Sequence, residues 1–243
     1  MSTVALVTGA GSGMGRATAI LLAQRGAAVA VVGRRAGKLD EVVAEIEKSG
    51  GRALAVPADV GRPEEMERAV AQTVDRFGGL DWAVNNAGVA GKQVPTGELP
   101  VDEWRRVLDI NLDGLFYGMR YQIPAMLARG GGSIVNISSV FADLGGPAVQ
   151  YSTAKHGIRG LTRSAAKEYA AQGIRVNELQ PGIIESEMTA ADPEGAQRVA
   201  DRGVPIGRIG TGTEIAAAVA FLLSDEASYI TGAHLAVDGG FLA

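Results

Sequence analysis

Short, nearly continuous apolar runs recur along this chain, at residues 4–7, 28–32, 53–56, 80–84, 133–137, 175–179 and 235–237. Between them lie longer stretches of helical spacing, at 13–25, 39–49, 63–77, 101–129, 151–172 and 213–224. Strands that are apolar on both sides belong in a parallel sheet covered on both faces. Their alternation with helices predicts an α/β fold, a doubly wound parallel seven-stranded sheet with helices on each face. Pro63 with Glu64 and Glu65 marks a helix start, and Thr213-Glu214 is expected to cap one in the same way. Gly26, Gly50-Gly51, Gly78-Gly79 and Gly173 fall where helices need a left-handed closing residue. No repeat, low-complexity tract or linker interrupts the pattern, so one domain is expected over 1–243.

Composition excludes several chemistries. The chain has no Cys, and its only histidines are His156 and His234. Disulfides, iron–sulfur clusters, thiolate zinc, multi-histidine metal centres and a cysteine nucleophile are therefore ruled out, and no metal site is expected. The balance of 23 basic against 27 acidic residues, with no basic run, makes nucleic acid an unsuitable partner. No apolar stretch approaches the ~18 residues of a membrane span. The start, Met1-Ser2-Thr3-Val4-Ala5-Leu6, enters a strand without a basic leader, so a cytoplasmic protein is expected. Gly occurs 34 times, about twice the ~7% average, which points to tight turns and close backbone approaches.

One of those turns carries chemistry. Thr8-Gly9-Ala10-Gly11-Ser12-Gly13-Met14-Gly15 joins the first strand to the first helix. Missing side chains at Gly9, Gly13 and Gly15 permit a tight turn, approach of a pyrophosphate and close helix–sheet packing, with the helix N–H groups aimed at the phosphate. Further on, Tyr151 and Lys155 are four apart and share a helix face. A phenol titrates near ~10, so an adjacent ammonium is what would let it exchange protons near neutral pH.

The turn resembles the Thr-Gly-x-x-x-Gly-x-Gly pattern of the short-chain dehydrogenase/reductase family. Asn85-Asn86-Ala87-Gly88, Tyr151-Ser152-Thr153-Ala154-Lys155 and Pro181-Gly182 match its other motifs in order, and the resemblance covers essentially the whole chain. It implies a Rossmann-type fold and an oxidoreductase that interconverts a secondary alcohol and a ketone by hydride transfer, with Tyr151 as general acid/base. Lys155 would also hold ribose hydroxyls. A serine that polarises the substrate oxygen is implied at Ser138 or Ser139. The family's usual spacing counts back to Ser138, whereas keeping strand register selects Ser139. The latter is preferred, because a loop deletion is easier to absorb than a register slip. Asn111 matches the residue that sits at a helix distortion and links Lys155 to solvent through water. The catalytic set is thus Asn111, Ser139, Tyr151 and Lys155.

For the cofactor, the second strand ends Val32-Gly33-Arg34-Arg35, with Gly33 where NAD enzymes of this fold carry an acidic ribose partner. Arg34 can fork onto a 2′-phosphate, so NADP(H) is favoured. Ser12 stands where many NADP-dependent relatives have a second basic residue, and Arg34 could stack on adenine with either cofactor, which leaves NAD(H) open. The resemblance adds Asp59 and Val60 beside the adenine, although Asp59 could instead cap a turn. Ser12, Gly13, Met14 and Gly15 would lie against the pyrophosphate. Asn86, Ala87 and Gly88 would contact the cofactor or hold the central strand; Pro181 and Gly182 would border the cofactor, and backbone groups of Ile184 and the Ser186 hydroxyl would meet the carboxamide.

Residues 187–207 look like a substrate lid, with Val94, Phe141, Leu144, Gln150 and Met188 as candidate pocket walls. The resemblance implies a homotetramer that pairs helices 101–129 and 151–172 between subunits, with residues 232–243 in another interface. Two other readings stay open: a 3-oxoacyl-thioester reductase, in which Arg129 could meet an acidic carrier protein, and a catalytically silent nucleotide-binding sensor.

Overall fold

The structure, a computed structural model, describes residues 2–190 and 192–243. Met1, and Ala191 of the expected lid, lie outside the described residues. In chain order the elements are β1 (Val4–Thr8), α1 (Gly13–Gln24), β2 (Ala28–Gly33), α2 (Ala36–Lys48), β3 (Arg52–Pro57), α3 (Pro63–Phe77), β4 (Trp82–Asn85) and α4 (Val101–Leu108). Then follow α5 (Gly114–Leu127), β5 (Gly132–Ile137), α6 (Val149–Tyr169), β6 (Ile174–Pro181), α7 (Glu187–Ala190), α8 (Pro193–Gly203), α9 (Gly212–Leu223) and β7 (His234–Val237).

The seven strands pair in the order β3-β2-β1-β4-β5-β6-β7, every neighbour parallel. Successive side chains leave a strand on opposite faces, so β1 feeds two cores. Ala5 and Val7 pack with residues of α1, α2 and α9, and Val4 and Leu6 with residues of α3, α5 and α6. The winding reverses between β1 and β4, and such a switch point opens a crevice beyond the carboxyl ends of the strands.

Four expectations are corrected. The stretch 101–129 is not one α-helix: a π turn, Asp109–Asp113, separates α4 from α5. The cap of α9 is Thr211, not Thr213: its hydroxyl accepts from Glu214 N while Glu214 Oε2 accepts from Thr211 N at 2.8 Å, a reciprocal box. Helix α2 begins three residues early, at Ala36, and α6 ends at Tyr169 with a 3-10 turn following it. The 187–207 region contains α7 and α8, the latter started by Asp192, whose carboxylate accepts from Gly195 N, and by Pro193. No helix among the described residues is long and apolar enough to cross a membrane.

Candidate active site

The glycine-rich turn sits at the crevice. Gly9 and Gly13 hold φ of +66° and +52°, values that ordinary side chains rarely adopt. A Cβ on Gly15 would overlap the Gly9 carbonyl oxygen and lie 2.5 Å from Asn86 Nδ2, so this position is closed by packing. A Cβ on Gly13 would meet only Ser186, at 3.6 Å or more, so this position opens onto the groove between the turn and the end of β6. The turn therefore fits a pyrophosphate: its half-buried backbone has room beside it at Gly13, next to the first N–H groups of α1 that a helix leaves without internal partners.

Thr8 and Asn86 brace this cradle. Asn86 Nδ2 donates to Thr8 O at 2.9 Å, while Asn86 N and Ala87 N both donate to Thr8 Oγ1, at 3.0 and 3.1 Å. The bracing role of Asn86, one of the two left open by the sequence, is the one these bonds describe. Asp59 likewise turns inward, with Oδ1 accepting from Gly61 N at 3.0 Å, and Val60 is buried in the second core. Both stand at the end of β3, on the rim where an adenine is expected.

Arg34 is exposed at the end of β2. Its neighbour, overlooked in the sequence, reaches further: Arg35 Nη2 donates to both carboxylate oxygens of Glu187 at 2.8 and 2.9 Å and to Ser12 Oγ at 3.3 Å. A guanidinium thus stands beside Ser12, where the turn lacks its own basic residue, and ties the turn to α7.

Across the groove, α6 presents Tyr151 and Lys155 to the end of β5. Lys155 is 4% exposed, and its Nζ donates to Ile137 O at 3.0 Å while lying 5.4 Å from the centroid of the Tyr151 ring. Burial brings the ammonium down to about 8, against a partial opposing effect of the Glu178 charge. Ser139 acts on the Tyr151 hydroxyl while its Oγ accepts from Phe141 N at 3.2 Å, and the Tyr151 ring meets Phe141 edge-on at 6.3 Å. Desolvation pushes the Tyr151 hydroxyl up, and Ser139 partly offsets this. The two serines separate cleanly. Ser138 Oγ turns away, donating to Glu178 Oε1 at 2.5 Å, while Ser139 faces Tyr151.

Asn111 occupies the π turn and is 1% exposed, which removes the reading of a solvent-facing side chain. It clamps the backbone of Val89 both ways, donating to its carbonyl at 2.9 Å and accepting from its N–H at 2.8 Å. A Cβ on Gly88 would sit 3.2 Å from Asn111 Oδ1 and 3.9 Å from Lys155 Nζ, so Gly88 brings these two residues to one point.

At the far wall, Gly182 N donates to Val237 O at 3.1 Å and Pro181 is buried. The groups expected to meet a carboxamide share one partner that the sequence reading overlooked. Thr189 Oγ1 bonds Ile184 O at 3.0 Å, accepts from Ser186 N at 2.9 Å and lies 3.3 Å from Ser186 Oγ. Of the candidate pocket walls, Phe141 touches Tyr151, and Gln150 is buried with Nε2 donating to Lys92 O at 3.1 Å. Leu144 and Met188 are exposed. Arg129 is engaged within the chain, its Nε and Nη2 donating to Asp81 at 3.1 and 3.0 Å. Among the described residues no acidic or histidine cluster is suited to a metal ion.

Comparison with known proteins places this arrangement in company. A family model described as enoyl-(acyl carrier protein) reductase matches residues 9–242. Cyclohexanol dehydrogenase from Acinetobacter sp. (strain SE19) is 48% identical over 98% of this chain and 94% of its own length. Cis-4-hydroxycyclohexanecarboxylate dehydrogenase from Sinomonas cyclohexanicum is 45% identical over 99% and 96%. The crystal structure of a single-substitution variant of actinorhodin polyketide ketoreductase with NADPH superposes with a TM-score of 0.94, at 38% identity, over 99% of this chain and 97% of that one.

Proposed function

The chain belongs to the short-chain dehydrogenase/reductase family, and we propose that it is an NADP(H)-preferring oxidoreductase interconverting a secondary alcohol on a six-membered carbocycle and the matching ketone. The observation that carries this reading is the meeting of Ser139, Tyr151 and Lys155 opposite the glycine cradle. The ring preference is drawn from the two relatives named for cyclohexane alcohols. The whole chain acts as one domain, with residues 187–207 as the substrate lid.

When bound, the nicotinamide cofactor supplies the hydride acceptor for alcohol oxidation or the donor for ketone reduction. In this proposal Gly13, Met14 and Gly15 hold the pyrophosphate, Asp59 and Val60 border the adenine, and Lys155 holds ribose hydroxyls. Ile184 and Ser186, whose polar groups Thr189 Oγ1 bonds here, would hold the carboxamide. Ser139 donates to the substrate oxygen and fixes it beside Tyr151 Oη. In reduction Tyr151 would give its proton to the substrate oxygen; in oxidation it would take the proton from the alcohol. With its titration raised above the ordinary phenol value, Tyr151 stays protonated at neutral pH in the free protein, which is the form needed to donate. Asn111 holds Gly88 and Val89 beside Lys155, on the route by which a proton is returned from solvent.

Two expectations follow from the charges. Ketone reduction that depends on the Lys155 ammonium falls as pH rises through about 8, because that is where burial places its titration. A kcat/KM profile for ketone measured from pH 6 to 10 checks this; a flat profile across 7–9 removes the ammonium from the mechanism. For the cofactor, Arg34→Asp is expected to shift the NADPH/NADH ratio of kcat/KM toward NADH by roughly ten- to a hundredfold, the worth of a charge-assisted bond. An unaltered ratio excludes Arg34 as the 2′-phosphate partner.

The reading is tested directly by titrating the protein with NADPH and NADH under cofactor fluorescence. Cyclohexanone-type ketones and 3-oxoacyl thioesters are then added as oxidants. Oxidation of NADPH by ring ketones supports the proposal. Preference for thioesters would favour carrier-protein chemistry instead, in keeping with the description of the family model. Tight binding with no turnover would favour a nucleotide sensor. We also place the enzyme in the cytoplasm as a homotetramer. Exposed Phe116 on α5 and Leu235 on the edge strand β7 are surfaces that such an assembly covers.

A further inference from the structure

Strand β6 carries a charge where a doubly covered strand ordinarily carries an apolar side chain. Glu178 is 1% exposed, paired in register with Asn136 of β5 and His234 of β7. Its Oε1 accepts from Ser138 Oγ at 2.5 Å and its Oε2 from Arg159 Nε at 3.1 Å. Arg159 Nη1 pairs in turn with Asp143 Oδ1. The other oxygen of Asp143 accepts from Gln180 Nε2 at 2.8 Å, and that amide also lies 3.4 Å from Ser139 O. These contacts form a closed circuit. It leaves the backbone at Ser138, passes through Glu178, Arg159, Asp143 and Gln180, and returns at Ser139.

Stability alone does not account for such a circuit, because a well-packed apolar set commonly serves as well as a buried ion network. Its location does. Arg159 lies four residues beyond Lys155 and eight beyond Tyr151 on one face of α6. That face meets β5 through the Lys155 bond to Ile137 O and β6 through the Arg159 bonds to Glu178. Of three consecutive residues, Ile137 is pinned by α6 directly, and Ser138 and Ser139 by the β6 side chains Glu178 and Gln180, the first of which α6 grips through Arg159.

We propose that Glu178 is a positioning residue for the reaction, gripping Ser138 and Arg159 so that the Ser138–Ser139 peptide keeps the Ser139 hydroxyl on Tyr151. This rests on the oxidoreductase reading above for its effect on turnover, but not for the geometry. Its charge also opposes the effect of burial on Lys155. The groups facing this pair are Tyr151 and Arg159 from α6, Asp143 from the loop after β5, and His234 from β7.

The test uses two variants of the full chain. Ser138→Ala removes the gripped hydroxyl and leaves every charge; Glu178→Gln removes the charge and keeps the shape. In cofactor-free protein, Tyr151 is titrated by phenolate absorbance with Tyr151→Phe as the blank, and Lys155 by NMR of its ε-carbon. Both variants should raise the Tyr151 midpoint, because the lowering effect of Ser139 is weakened. Both should also lower kcat roughly ten- to a hundredfold at nearly constant KM, the cost of misplacement. Glu178→Gln alone should move the Lys155 midpoint further down. A folded Ser138→Ala or Glu178→Gln with unchanged Tyr151 midpoint and kcat overturns the proposal. Should Glu178→Gln fail to fold, Ser138→Ala decides. Absence of turnover in the wild type would sink the functional reading, while the Tyr151 midpoint would still decide the positioning claim.

Discussion

Tyr151→Phe is expected to lower kcat by roughly 10²- to 10⁴-fold, the range for loss of a positioned acid–base group, with dinucleotide binding retained. The substitution removes one oxygen. The ring edge against Phe141 remains, at 6.3 Å and 79°, and so does Lys155 Nζ, held by Ile137 O. Losing the contact with Ser139 costs about 1 kcal/mol of stability, a few degrees in Tm at most. Turnover is followed by cofactor absorbance, binding by fluorescence and folding by calorimetry. Unchanged turnover would take the proton transfer away from Tyr151.

Gly15→Ala is expected to weaken dinucleotide binding by roughly a hundredfold. The added methyl group meets the Gly9 carbonyl and Asn86 Nδ2, and Asn86 is itself bonded to Thr8 O at 2.9 Å. No flexible side-chain end is there to yield, so the turn or the first turn of α1 must move, at about 1–3 kcal/mol of overpacking. Movement there displaces the groups aimed at the pyrophosphate. Gly37→Ala is the control, because nothing lies within 4 Å of that added methyl. Fluorescence titration of both variants checks the contrast. Wild-type affinity in Gly15→Ala would mean that the glycine serves neither close packing nor phosphate approach.

What can be read from the sequence is whatever depends on local chemistry. Apolar runs announce the seven strands to within two residues, because the inner strands are covered from both sides, and even the exposed edge strand β7 keeps Leu235-Ala236-Val237. The glycine turn is legible for the same kind of reason, as is the Tyr151–Lys155 stripe. Strand register selects Ser139 over Ser138, and the structure turns Ser139 to the phenol and Ser138 to Glu178. What escapes depends on residues distant in sequence. Arg35 and Glu187 lie 152 apart, and nothing local marks them as partners. Glu178 and Gln180 interrupt an apolar strand, but their meaning emerges only when α6 and the loop after β5 pack against them. Thr213 looks like the cap of α9 because a Glu follows it directly; the reciprocal box requires a spacing of three, which selects Thr211.

The π turn has a consequence for the long helical stretch around it. A π turn holds more residues than an α turn, and each extra residue rotates everything beyond it by about 100° around the axis. Before and within the turn the inward positions are Val107 and Asn111, four apart. Beyond it they continue at Leu115, Met119, Gln122 and Met126, a seam that an unbroken helix would have carried around toward solvent. The surplus residue thus works as a phase shifter. It lets one side of the helical rod point Asn111 at the reaction groove while the remainder keeps its apolar side on the sheet.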